Sequence, residues 1–173
     1  MNSLSGVMIM VLAALPALAA EDTPLQQSRT VATSLMQQLG AELKQAISAN
    51  GAEAAIKVCK NIAPDLASKL SIERGWRVTR VSLKTRNPLL GTPDAWEQQR
   101  LEEFDAHAAN GAALDTMEFS ESVTEPGGRY FRYMKALPVQ PLCLACHGGE
   151  EQIPASVKAT LSRQYPHDRA TGY

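Results

Sequence analysis

The chain has 173 residues, 45% of them hydrophobic and 20% charged, with a formal net charge of −1. That is enough chain for one domain with a core of its own. The near-neutral balance offers no concentrated positive field for nucleic acid or an anionic membrane surface, so neither is expected as a partner.

Residues 1–20 read as a secretory signal peptide. The stretch 7–20 is apolar and interrupted only by Pro16, and Ala17-Leu18-Ala19 places small residues where a signal peptidase needs them. The apolar run is shorter than the ~20 residues that span a bilayer, so no integral span is expected once the signal is removed. The expected location is the periplasm; an uncleaved signal anchoring the chain to the inner membrane is the alternative.

The mature chain, 21–173, shows helix and strand signals in turn. Thr23-Pro24 sets an N-cap before a proline at the first helical position. Leu25, Ala32, Leu35, Met36, Leu39, Leu43 and Ile47 then follow at helical spacing as far as Asn50-Gly51. A second helix is predicted over 52–62, with Ala55, Ile56, Cys59, Ile62 and Ala63 on one face. Pro64 opens a fresh turn over 65–70 and Gly75 closes it. Alternation of Trp76 and Val78 with Arg77 and Thr79 predicts a strand over 76–83. Thr92-Pro93 repeats the helix-start signal ahead of Ala95, Trp96, Leu101, Phe104 and Ala108, and Asn110-Gly111 stops that helix. Strands over 117–123 and 129–137 flank Glu125-Pro126-Gly127-Gly128, a hairpin signal. A last helix is predicted over 155–163, before Tyr165-Pro166. These signals describe one α+β domain.

The densest chemistry lies at Cys143-Leu144-Ala145-Cys146-His147. Two thiols at this spacing can each add to a haem vinyl group, and the histidine is then carried under the porphyrin, where a ring nitrogen binds iron. The motif occurs once, so one covalently attached haem c is expected. A redox dithiol and a zinc site are the alternatives; tetrahedral zinc needs a fourth ligand, which Cys59 would supply.

Three cysteines leave Cys59 over once the motif is used, a free thiol in an oxidising compartment. By periodicity it is a small residue on an apolar helical face, where cysteine is a common core filler. Met134, Met117, Met36, His107 and His167 compete with it for the position opposite His147. Arg80, Lys84 and Arg86 cluster on one stretch, suited either to haem propionates or to a solvated positive surface. Tyr130, Phe131 and Tyr133 would wall a pocket or fill the core. No Ser-His-Asp set, phosphate loop or paired carboxylates emerges, so no enzymatic activity is expected.

Several segments beyond the motif carry a resemblance. They are Val58-Cys59-Lys60-Asn61-Ile62-Ala63-Pro64, Ser82-Leu83-Lys84-Thr85-Arg86-Asn87-Pro88, Pro93-Asp94-Ala95-Trp96-Glu97, the run 143–148, and Tyr165-Pro166 through Ala170-Thr171-Gly172-Tyr173. In this order, over about 26–173, they resemble a bacterial c-haem family long catalogued as a domain of unknown function. The resemblance implies a PAS-like antiparallel sheet packed with helices and one covalently bound c-type haem. It also implies iron held by His147 on one side and Cys59 on the other. The family pattern continues past the final Gly-Tyr into a further strand. The sheet is therefore expected to be one strand short with an exposed edge, or the sequence to be truncated. The implied role is a redox or gas sensor acting on a redox or signalling protein of unknown identity. A small c-type cytochrome carrying electrons is the alternative.

Overall fold

The computed structural model describes residues 22–172; the signal read at 1–20 and Tyr173 lie outside the described residues. Helix α1 (Pro24–Asn50) begins at Thr23, whose side chain accepts from the Gln26 backbone N–H while the Gln26 side chain accepts from that of Thr23. Its buried residues are Val31, Leu35 and Leu39, so Val31, absent from the predicted stripe, faces the core in place of its neighbour Ala32. Gly51 ends the helix at φ 76°, a backbone conformation that strains any residue with a Cβ.

Helix α2 (Ala52–Lys57) runs through a π turn at Val58–Ile62 into α3 (Ala63–Arg74). The path is one helix with a widened turn, where the sequence predicts a break and a fresh start at Pro64. The reason is local. A proline inside an α-helix lacks its N–H and presses its ring on the carbonyl four residues back, here that of Lys60. In the widened turn the Ala63 N–H reaches the Val58 carbonyl, five residues back, and the backbone absorbs the proline without unwinding. α1 lies along this helix: Leu39 packs with Val58 and Ala63, and Val31 and Leu35 pack with Leu70. Burying each such large apolar side chain contributes about 1.5–3 kcal/mol.

The strand predicted over 76–83 is an extended segment with no pairing strand among the described residues. Backbone donors there find other acceptors: Val78 N–H donates to Ser71 Oγ (2.9 Å) and Ser82 N–H to the Gly91 carbonyl (3.1 Å). A short helix α4 (Pro88–Gly91) follows, and the Thr92 hydroxyl closes it by donating to the Pro88 carbonyl (2.7 Å). Thr92 therefore ends one helix instead of starting the next. The cap of α5 (Ala95–Ala109) is Asp94, in a reciprocal arrangement with Glu97.

Strands β1 (Glu118–Glu125) and β2 (Gly128–Lys135) pair antiparallel, with Glu118 opposite Lys135 and Glu125 opposite Gly128. The hairpin is held on α5 and α1. The Arg132 guanidinium lies 4.3 Å from the Trp96 ring centre, Trp96 Nε1 donates to Glu121 (2.6 Å), and Arg29 pairs with Glu118. A 3₁₀ turn at Pro141–Cys143 leads into α6 (Leu144–His147), and α7 (Ala155–Gln164) is the last helix. Its Val157 and Leu161 join Ile56 of α2, Cys146 of α6, Ile153 and Tyr165 in one buried cluster. The fold is α+β, rich in helix, with a two-stranded antiparallel sheet among the described residues. No helix among them is long and apolar enough to cross a membrane.

Candidate functional site

The motif is mounted on the second helix. Cys146 is buried in the cluster with Ile56, and its Sγ donates to the Ala52 carbonyl at 3.9 Å. α6 therefore rests on the first turn of α2, and Cys59 lies one helical turn beyond Ile56, inside the π turn. Cys143 and Cys59 are both half-buried, and all three cysteines are free thiols. Burial pushes the Cys59 thiol pKa up; Arg80 and Arg86 pull it down, and Cys143 adds to the rise. Burial also raises Cys146, opposed by Arg86 and assisted by Cys59, Cys143 and Asp168. The three thiols are thus within Coulombic reach of one another, and Cys59 and Cys146 share the Arg86 guanidinium.

His147 closes α6. Its Nδ1 lies 2.8 Å from the Ala170 carbonyl, and a carbonyl oxygen can only accept, so Nδ1 carries the proton and Nε2 the lone pair. Nε2 lies 3.4 Å from Arg86 Nη1. Burial, reinforced by the Arg86 charge, lowers the imidazole pKa to about 4 against the pull of the Ala170 carbonyl. The ring is neutral at pH 7, the form in which a histidine can bind a metal. The following residue must be glycine for want of space. A Cβ on Gly148 would stand 2.6 Å from both the Leu144 carbonyl and Gln152 Oε1.

Three segments far apart in sequence are tied together around this ring. Arg86 Nε donates to Asp168 Oδ2 (2.9 Å), and its Nη2 donates to the carbonyls of Cys146 (2.5 Å) and Ala170 (3.2 Å). The Arg169 N–H donates to the Thr85 carbonyl (2.9 Å), and the Gly172 N–H to the Gly148 carbonyl (2.9 Å). Lys84 Nζ reaches the Gly172 carbonyl at 3.0 Å. Arg86 is therefore neither a solvated surface charge nor an isolated anion receptor; its ion pair with Asp168 leaves the two side chains 11% and 13% exposed. Beside it, Thr85 is buried and its Oγ1 has no hydrogen-bond partner among the described residues. An unmet buried hydroxyl costs about 1–3 kcal/mol, so the site has a polar atom that fits a group from outside the chain.

Other candidates from the sequence lie elsewhere. Met117 is buried beside Phe104 and Phe119 under the hairpin, and Met134 faces Phe119 across it. Met36 is half-buried on α1, while His107 and His167 are exposed. Tyr130 and Phe131 are 45% and 40% exposed, so they wall no pocket, and Tyr133 donates to Glu118 (2.8 Å). Among the described residues no three His, Cys, Asp or Glu side chains form a group of the kind that tetrahedral zinc needs. Three residues of the site were not singled out in the sequence: Asp168, Ala170 and Tyr165. Tyr165 carries the Lys60 ammonium 5.9 Å from its ring centre, and burial together with Cys59 raises its pKa. The signal available for them was their place in the tail segment 165–173, which the resemblance already marked.

A family model described as Tll0287-like matches residues 17–173. Among solved structures, the chain is similar to the crystal structure of the cyanobacterial haem protein Tll0287, with 26% identity, a TM-score of 0.62, and 88% of each chain covered. No curated protein matches.

Proposed function

We propose that this chain, which belongs to the Tll0287-like family, is an exported haem protein that holds one haem covalently and uses it to sense redox state or a small gas. The observation that carries the reading is the approach of Cys59, in the π turn, to Cys143 and Cys146, which adjoin His147 at α6. The chemistry that haem supplies when bound is one-electron exchange at iron, tuned by its axial ligands.

Each residue has a separate part. Cys143 and Cys146 provide the sulfur atoms for two thioether links, at the mouth and at the buried end of the motif. His147 presents Nε2 with Nδ1–H committed to Ala170, so the ring cannot turn over. Cys59 would supply the second iron ligand, a sulfur, from the π turn. Its thiol keeps its proton until a metal charge displaces it, because burial disfavours the bare thiolate. A widened turn is a place where helix register can change locally, so Cys59 can engage or withdraw while α2 and α3 stay packed. That adjustability favours sensing over simple electron carriage. The firm mounting of His147 by Ala170 and Arg86 is the feature that favours the carrier, which keeps both ligands in both oxidation states.

Spectra of protein exported from a host equipped for cytochrome maturation test the reading. The expected result is a Soret band whose pigment resists acid-acetone and gives a thioether-type pyridine spectrum; colourless protein refutes it. Cys59→Ala is expected to keep the attached haem but change the ferric spectrum. An unchanged low-spin spectrum eliminates the thiolate, and carbon monoxide failing to bind the reduced parent protein eliminates gas sensing while a redox-driven response stands.

A further inference from the structure

The most heavily engaged side chain at the site is Arg86. Its Nε holds Asp168 Oδ2 at 2.9 Å, its Nη2 spans the Cys146 and Ala170 carbonyls at 2.5 and 3.2 Å, and its Nη1 stands 3.4 Å from His147 Nε2. The Ala170 carbonyl also takes the His147 Nδ1 proton (2.8 Å), while the Ala170 N–H donates to Asp168 Oδ1 (2.8 Å). Guanidinium, carboxylate and the backbone of Ala170 thus bracket both edges of the imidazole. Only a planar fork of donors can reach this set at once; the compact ammonium of a lysine cannot.

We propose that Arg86 and Asp168 act as one positioning unit, holding His147 in the tautomer that keeps its lone pair on Nε2 and setting the charge beside that nitrogen. The proposal rests on the haem reading and deepens it. Asp168 holds Ala170 by its N–H, and the carbonyl of the same residue fixes Nδ1–H. Were a metal bound at Nε2, Nη1 would give up that lone pair, while Nε and Nη2 would keep Arg86 anchored on Asp168, Cys146 and Ala170. A guanidinium so close favours the less positive oxidation state of the iron, and the carboxylate opposes it. Opposite charges on one pair must therefore move the reduction potential in opposite directions.

The experiment compares matured parent protein with Arg86→Met, Asp168→Asn and Arg86→Lys, after a pyridine assay shows haem in each. Arg86→Met is expected to lower the midpoint potential and Asp168→Asn to raise it. Arg86→Lys keeps the charge and stays close to the parent potential, but its ferric g-values shift as the imidazole loses its bracket. An ion pair that serves stability alone would weaken both broken-pair variants alike and leave the potentials where they were. That result, or shifts of the same sign, overturns the proposal. If Arg86→Met yields no holoprotein, the sign for Asp168→Asn decides. Nitrogen-15 spectra of His147 in the reduced parent must also show a protonated, hydrogen-bonded Nδ1, and an unprotonated Nδ1 overturns the proposal. Parent protein without haem refutes the haem reading instead, and the same spectra of that chain still report the tautomer.

Discussion

Val157 offers the sharpest test of how the site is supported. It is 1% exposed and packs in the cluster that joins α7, α2 and Cys146. Val157→Ala removes two methylene equivalents, worth about 0.8 kcal/mol each in transfer alone. The void left under Cys146 adds to this, for a total of about 2–2.5 kcal/mol. For a domain of this size, each kcal/mol moves the midpoint by about 2–4 °C, so the melting temperature should fall by about 4–10 °C. Far-UV circular dichroism on heating measures it, in the chain before and after haem attachment. Because the same cluster seats α6, the yield of thioether-bound haem should fall with it. A melting temperature within about 1 °C of the parent would mean that α7 does not carry the core beneath the motif.

Gly148→Ala forces a Cβ to 2.6 Å from the Leu144 carbonyl, which unlike the Gln152 side chain cannot swing away. A loss of about 1–3 kcal/mol and poorer haem attachment are expected, read by urea unfolding and the pyridine assay; full stability refutes the close approach. Asp94 supplies a pH test. Burial disfavours its charge, but the Glu97 N–H and the Arg132 and Arg77 guanidinium groups outweigh burial and hold its pKa below 3.8. Its folded pKa is the lower one, so its contribution is present above the unfolded value and fades as pH drops through the folded one. Asp94→Asn, which keeps the helix cap, should therefore lose stability at neutral pH and show a shallower acid limb in urea midpoints; parallel pH profiles contradict the network.

The elements legible in the sequence were those marked by local chemistry. Thr23-Pro24, Asn50-Gly51, Gly75 and the Pro126-Gly127 turn set helix and hairpin ends through steric and capping effects within a few residues. The errors arose where two local signals competed. Pro64 reads as a helix break because proline costs a hydrogen bond and a clash in an α-helix, and a π turn removes that conflict. The segment over 76–83 alternates like a strand, yet Ser71 and Gly91 satisfy its backbone donors before a ladder can. Thr92 and Asp94 are both capping residues, and the reciprocal bond with Glu97 selected Asp94.

By itself, the order of residues determined the motif Cys143-Leu144-Ala145-Cys146-His147, because its thiols and imidazole need only neighbouring positions. Tertiary structure decided everything that acts across the chain. Periodicity treated Cys59 as one more small core residue, and only the seating of α6 on α2 brings it to the motif. Arg86 likewise read as either a propionate partner or a surface charge, and only the fold closes Asp168 and Ala170 around it. Such contacts depend on which faces of distant helices bury together, and burial energy, being non-directional, leaves no short-range mark in the sequence.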